Sequence, residues 1–241
     1  MMFRRYASPR HFHDLSGHLL PWFGWPCAVL MAAGLWGGLV VAPPDYQQGE
    51  AYRIIFIHVP SAWLSLLVYA AMAGAAAVGL IWRTKVAEAV TIACAPVGAS
   101  FTFLALLTGS LWGKPMWGAW WVWDARLTSE LVLLFLYLGI IALNGAIPDP
   151  RKAARACAIL AIVGLVDLPI IHFSVEWWNT LHQGPTVFRL DGPSIHPSML
   201  IPLLLMVAAF TLFFVTVLLM RARCEILQRE RHRQWVREVV R

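Results

Sequence analysis

The run IIFIHVPSAWLSLLVYAAMAGAAAVGLIW, Ile54–Trp82, contains no Asp, Glu, Lys or Arg. A helix needs about 20 apolar residues to cross roughly 30 Å of hydrocarbon, and this run exceeds that length. Working outward, Leu19–Pro44 and Ala89–Gly113 are equally free of those four residue types. Leu131–Pro148 is charge-free but shorter, and Leu200–Met220 is charge-free and rich in Leu and Phe. Ala156–Ser174 carries one acid, Asp167. Six membrane spans are therefore predicted. All are read as helices, because backbone facing lipid must satisfy its own hydrogen bonds. The whole chain agrees: of 241 residues, 59% are hydrophobic and 13% charged, about half the charge of a soluble domain. The expected fold class is an all-α integral membrane protein, with residues 1–241 forming one six-helix membrane domain. The first apolar run is too long for a cleavable signal, and no small-x-small site follows it.

Lys and Arg set the expected orientation, since they concentrate in cytoplasmic segments. With both termini cytoplasmic, the inner segments hold Arg4, Arg5, Arg10, Arg83, Lys85, Arg151, Lys152, Arg155 and the basic tail 221–241. Of 19 Lys and Arg, only Arg53, Lys114, Arg126 and Arg189 then fall outside. The net charge of +6 reflects this bias and argues poorly for nucleic acid. The tail is expected to meet membrane lipid head groups or a partner subunit. Cys27, Cys94 and Cys157 lie toward the inner ends of their spans, with Cys224 in the tail. The absence of any C-x-x-C argues against disulfide exchange and thiolate zinc.

Three outer loops remain, at about 42–55, 112–127 and 173–198. The middle one reads WGKPMWGAWWVWDARLT, Trp112–Thr128. Its five indoles are Trp112, Trp117, Trp120, Trp121 and Trp123. Trp117, Trp120, Trp121 and Asp124 recur at i, i+3, i+4 and i+7, which predicts a short amphipathic helix on the membrane surface, with Pro115 at its start. An aromatic belt explains one or two rings per helix end. Five here, with Trp177 and Trp178 in the next loop, is too one-sided, and predicts a platform for a flat apolar ligand. Gly113 and Gly118 either let such a ligand approach the backbone or simply make turns.

Eight histidines are present. His11, His13, His18 and His232 fall inside, whereas His58, His172, His182 and His196 fall outside. Neutral imidazole is a common ligand of metals and of haem iron. Two histidines from the first and third loops would grip a haem above the tryptophan platform, although any one outer histidine taken alone is more often structural. Arg126 is the first choice for pairing with haem propionates. It would otherwise pair with Asp124 or Glu130, and Asp124 would hold an indole N–H or cap the following span. Asp167, an acid inside a span, is by default a functional candidate and receives no role.

The stretch WGKPMWGAWWVWDARLTSELVLLFLYLG resembles the tryptophan-rich WWD motif of haem-handling proteins. PDYQQGEAYRIIFIHVPSAW and DLPIIHFSVEWWNTLHQG narrow the resemblance to the cytochrome c maturation protein C family, over roughly residues 20–220. The resemblance implies haem b carried as a substrate on the periplasmic face of the bacterial inner membrane. It implies a platform of Trp112, Gly113, Trp117, Gly118, Trp120, Trp121, Trp123 and Asp124, with His58 and His182 as axial ligands of the iron. It further implies handover to a periplasmic haem chaperone, protein E, within a complex of ABC transporter subunits A and B and the small membrane protein D. No nucleophile–base pair of the kind an enzyme needs is evident. The rival readings are a membrane haem exporter that moves haem across the bilayer, a b-type cytochrome that passes electrons, and a purely structural subunit of the transporter complex.

Overall fold

The computed structural model describes residues 8–184, 186–187 and 192–240. Arg4, Arg5, Arg189 and Arg241 lie outside the described residues. The elements in chain order are α1 (Pro9–Trp36), closed by a π turn at Gly37–Val41, then a 3-10 turn (Glu50–Ile54) leading into α2 (Ile55–Trp82). They continue with α3 (Lys85–Trp117), α4 (Ala125–Ala146), α5 (Pro150–Val163), a 3-10 turn (Gly164–Val166), α6 (Asp167–Trp177), α7 (Pro197–Arg229) and α8 (Gln234–Val240). Six helical stretches are long and apolar enough to cross a membrane, with α5 and α6 together forming the fifth.

The helices outrun the charge-free segments at most ends. α1 begins at Pro9 rather than near Leu19, α3 continues to Trp117, and α4 starts at Ala125. Local chemistry explains the starts. Proline stands in the first turn of α1, α5 and α7, where its missing N–H costs nothing and its φ suits a helix. Asp149 caps α5 by accepting from Arg151 N and Lys152 N at 2.9 and 3.0 Å. Hydropathy sees none of this, because polar helix ends extend beyond the hydrocarbon.

Short links join α2 to α3 and α4 to α5, so neighbours run antiparallel. α3 packs on α2, α4 and α7; α2 also meets α5; α1 lies against α7. Tyr69 and Tyr137 sit edge to face at 5.0 Å in the centre, and Tyr137 Oη donates to the Ser65 carbonyl at 2.8 Å. Gly98 admits that ring: a Cβ there would stand 2.1 Å from Tyr137 Cζ. Small residues at such crossings let helices approach where lipid offers no hydrophobic drive. Large apolar side chains face outward, among them Trp22, Trp25, Val29, Trp36, Phe135 and Val163.

One end of this bundle gathers charge. Lys85 pairs with Glu230, and Arg229 bridges Glu225 at 2.6 Å and Glu88 at 3.2 Å. Arg223 donates to the His13 carbonyl, and the His13 and Trp235 rings lie 5.8 Å apart. The starts of α1 and α3 and the end of α7 therefore share that end. The tail residues from 221 are partly a continuation of α7, then the separate turn of α8. The opposite end carries Trp112, Trp117, Trp120, Trp121 and Trp123.

Candidate functional site

The tryptophan segment does not form the surface helix that its periodicity predicts. Trp112, Gly113 and Trp117 are the last turns of α3, and Pro115 lies within that helix near its end rather than at a start. Gly118 terminates α3 with φ +76°, its N–H bonded to the Lys114 carbonyl at 3.1 Å. This left-handed residue is the turn glycine of the sequence reading. Residues 118–124 are then extended or bent until Asp124 opens α4. The i, i+3, i+4, i+7 pattern was incidental, because it crosses a helix terminator that hydrophobic spacing does not register. Residues 112–128 thus comprise a helix end, a crossing strap and a helix start.

His58 is the fourth residue of α2. Its Nδ1 lies 3.0 Å from Thr108 Oγ1, and that hydroxyl lies 2.6 Å from the Leu104 carbonyl. The carbonyl can only accept, so the hydroxyl hydrogen is committed to it. Thr108 must then accept from His58 Nδ1–H, which leaves Nε2 bare with its lone pair available. Gly109 makes room for the ring, since a Cβ there would stand 2.9 Å from His58 Cε1. The Trp112 ring meets His58 edge on at 5.7 Å. Trp112 is itself held by Gln48, whose Oε1 accepts its indole N–H at 3.0 Å. Asp45 shapes the turn that presents Gln48, its carboxylate accepting from Gln47 N and Gln48 N.

His182 reaches the same state by a different route. Its Nδ1 donates to the Gln183 carbonyl at 2.8 Å, again leaving Nε2 bare. Burial first, then the positive charge of Arg126, hold this imidazole below its ordinary pKa and favour the neutral, ligating form. Asp124 fixes the segment that carries it. One carboxylate oxygen caps α4 by accepting from Leu127 N at 2.8 Å. The other accepts from the Thr180 hydroxyl, whose oxygen in turn accepts from His182 N at 3.1 Å. Asp124 thus performs the capping role anticipated for it, and ties two loops together.

Between the histidines lies a cavity with an open mouth, about 790 Å³ when the solvent-filled mouth is counted. His58, His182, Trp112, Trp117, Trp121 and Arg126 all line it. Gly113 instead backs onto the Ala119 carbonyl, 3.1 Å from where its Cβ would stand. Trp120 and Trp123 are exposed, at 55% and 75%. Lys114 Nζ lies 5.9 Å from the Trp120 ring centroid, and Trp123 packs edge on against Trp121 at 5.3 Å. Gly118, Trp120, Trp123 and Asp124 lie around the cavity rather than along its wall. Arg126 forms no ion pair with Asp124 or Glu130; its Nη1 donates to the Ile171 carbonyl in α6 at 2.8 Å. His196 caps α7, accepting from Ser198 N, and His172 is exposed against Phe173. Neither lines the cavity.

Sequence reasoning named Glu130 only as a partner for Arg126 and missed Gln48, Thr108, Gly109, Met116 and Gln183; all of these except Thr108 line the cavity. Only Gly109 left a signal, as a glycine within an otherwise helical run. The residues suit a haem in three respects. Two bare imidazole nitrogens border one space. Trp121 Nε1 is buried without a partner. Among the described residues no group of three or more His, Cys, Asp or Glu gathers into a self-sufficient metal site, so a metal held here would bring its own equatorial ligands.

A family model described as heme exporter protein C matches residues 2–237. The chain is 53% identical over 234 residues to heme exporter protein C of Escherichia coli K12, covering 97% of this chain and 94% of that one. It is 51% identical over 232 residues to the Haemophilus influenzae protein of the same name, covering 96% and 94%. It is 54% identical over 223 residues to that of Bradyrhizobium diazoefficiens, covering 92% and 84%.

Proposed function

The chain belongs to the heme exporter protein C family, and from that premise we propose that it presents haem to an acceptor at the tryptophan end of its bundle. Family membership places it in haem handling for cytochrome c biogenesis. In our reading His58 and His182 bind the iron of haem b through Nε2 from opposite sides. Trp112, Trp117 and Trp121 surround the macrocycle, and Arg126 pairs with a propionate. Gly113, Gly118, Trp120, Trp123 and Asp124 shape the strap that holds these groups. That end faces the periplasm of a bacterial inner membrane, by the Lys and Arg bias, and both termini face the cytoplasm with the basic tail near lipid head groups. The acceptor is the periplasmic haem chaperone, protein E, and ABC transporter subunits A and B with small protein D complete the complex. No catalytic residue is assigned.

The observation that carries this reading is the pair of bare imidazoles. Each Nδ1–H is committed to an acceptor of the protein, Thr108 in one case and the Gln183 carbonyl in the other. Such second partners orient a ligating histidine and raise its basicity. An open mouth suits release: a fully enclosed haem would be stable but hard to hand on. Electron transfer fits less well, because His182 lies in a loop and not within a helix. Movement across the bilayer draws support only from the 3-10 interruption of the fifth span beside Asp167, a kind of break that transport paths use.

The test is an absorption spectrum of the detergent-purified protein beside His58→Ala and His182→Ala, each produced together with the chaperone. The parent is expected to show a six-coordinate bis-histidine spectrum, lost or altered in both variants, with no loaded chaperone. Parental spectra and a loaded chaperone in both variants would refute the ligand assignment.

A further inference from the structure

Four buried side-chain polar atoms among the described residues lack a hydrogen-bond partner: Tyr69 Oη, Trp121 Nε1, Glu130 Oε1 and Asp167 Oδ2. Native proteins rarely leave such atoms unsatisfied, and a ligand is one explanation. Two of the four, on Trp121 and Glu130, belong to residues lining the cavity. Glu130 is only 8% exposed, so bulk water does not serve its carboxyl.

The other polar groups of the cavity are largely committed. Gln48 accepts from Trp112, Ser110 donates to the Trp120 carbonyl, and the Gln183 carbonyl accepts from His182. Arg126 gives one N–H to Ile171 and keeps the rest of its fork. The amide N–H groups of Gln48 and Gln183 also border the space; the Trp121 N–H, the Arg126 fork and Glu130 Oε1 make a second polar group. These stand on α4 and the strap before it, with Arg126 and Glu130 one turn apart on one helix face. The cavity side contributed by α2 and α3 includes Ala62, Ala105, Leu106 and Gly109. That side also holds His58 and Ser110, but the two lining residues with an unpartnered buried atom, Trp121 and Glu130, both belong to the α4 side.

Haem has the same asymmetry: two propionates lie side by side on one edge, and hydrocarbon substituents occupy the opposite edge. We propose that haem sits with its propionate edge toward α4, one propionate paired with Arg126 and the other accepting a hydrogen bond from the Glu130 carboxyl group. This rests on the haem-presentation reading above and adds a positioning residue and an orientation to it. Glu130 acts in its protonated form. An ionised carboxylate would repel the propionate, whereas a carboxylic acid donates a short, strong O–H···O⁻ bond.

The experiment uses the full-length protein in detergent, as parent, Glu130→Gln and Glu130→Leu, each loaded with haem or with haem dimethyl ester. Two quantities are read: the resonance Raman propionate bending modes, and the rate of haem loss to excess apomyoglobin. Glutamine still donates from its amide, so Glu130→Gln should shift a propionate mode while losing haem within about threefold of the parental rate. Glu130→Leu should lose haem about tenfold faster, the size expected for one charge-assisted hydrogen bond. With the ester, all three should lose it at similar rates. An unshifted propionate mode in Glu130→Gln overturns the proposal, even should Glu130→Leu fail to fold. So do equal loss rates for parent and Glu130→Leu. In both cases an intact bis-histidine spectrum leaves the presentation reading standing; absence of that spectrum in the parent would instead bring down the reading beneath it.

Discussion

The two ends of the bundle treat polar groups in opposite ways. At the charged end, Arg229 is shared by Glu88 and Glu225, Glu230 by Lys85 and Arg233, and the His13 carbonyl is taken by Arg223. At the tryptophan end, an indole N–H and a carboxyl oxygen of residues lining a cavity have no partner among the described residues, and two imidazole rings line the same space. The first end is complete as folded. The second keeps unpartnered groups around an open space. An unsatisfied buried polar atom costs about 1–3 kcal/mol, so a sequence that retains several around one space is shaped by what enters it.

Three substitutions test that contrast. Gly109→Val should have the largest effect. Its Cβ would stand 2.9 Å from the His58 ring, so the imidazole must turn away and the six-coordinate haem spectrum should be lost, with affinity falling about a hundredfold. Thr108→Val removes the acceptor for His58 Nδ1–H but leaves the ligand in place. Outer partners of this kind are worth about 10–100-fold in metal affinity, so titration with haem should show a loss near the lower figure and the spectrum should remain six-coordinate. Arg229→Ala acts at the other end. It strands Glu88 and Glu225, and thermal unfolding in detergent should show a loss of about 2 kcal/mol, while haem affinity and spectrum stay parental. A haem spectrum altered by Arg229→Ala would mean that the two ends are coupled.

The spans were legible because hydrocarbon imposes a length and forbids charge, so composition alone marks Ile54–Trp82 and its companions. Their ends were not, since Pro9, Thr84 and Pro197 start helices through backbone geometry beyond the apolar run. The tryptophan strap misled through its own periodicity: Trp117 to Asp124 fits a helical wheel, yet one left-handed glycine divides it. Spacing brought out His58 and His182 as two of four outer histidines but could not rank them. What separates them from His172 and His196 is tertiary. Thr108 lies 50 positions from His58, and Asp124 lies 56 from Thr180. Arg126 and Glu130 stand at the spacing of a helical salt bridge, yet the arginine turns to a carbonyl of α6, a neighbour that no local pattern announces.

Asp124 has a consequence for timing. The same carboxylate starts α4 and, through Thr180, anchors the segment bearing His182. Under the proposed ligation, a partner that draws this segment outward would compete with that carboxylate as well as with iron. The anchor is a hydroxyl contact on an irregular stretch, the kind of structure that opens locally long before the helices around it loosen. His58, rooted in α2, would stay behind. Under the proposed ligation, release would be sequential, the loop-borne ligand leaving first and the helix-borne one last, with the latch at Asp124 setting the dwell time of the cargo.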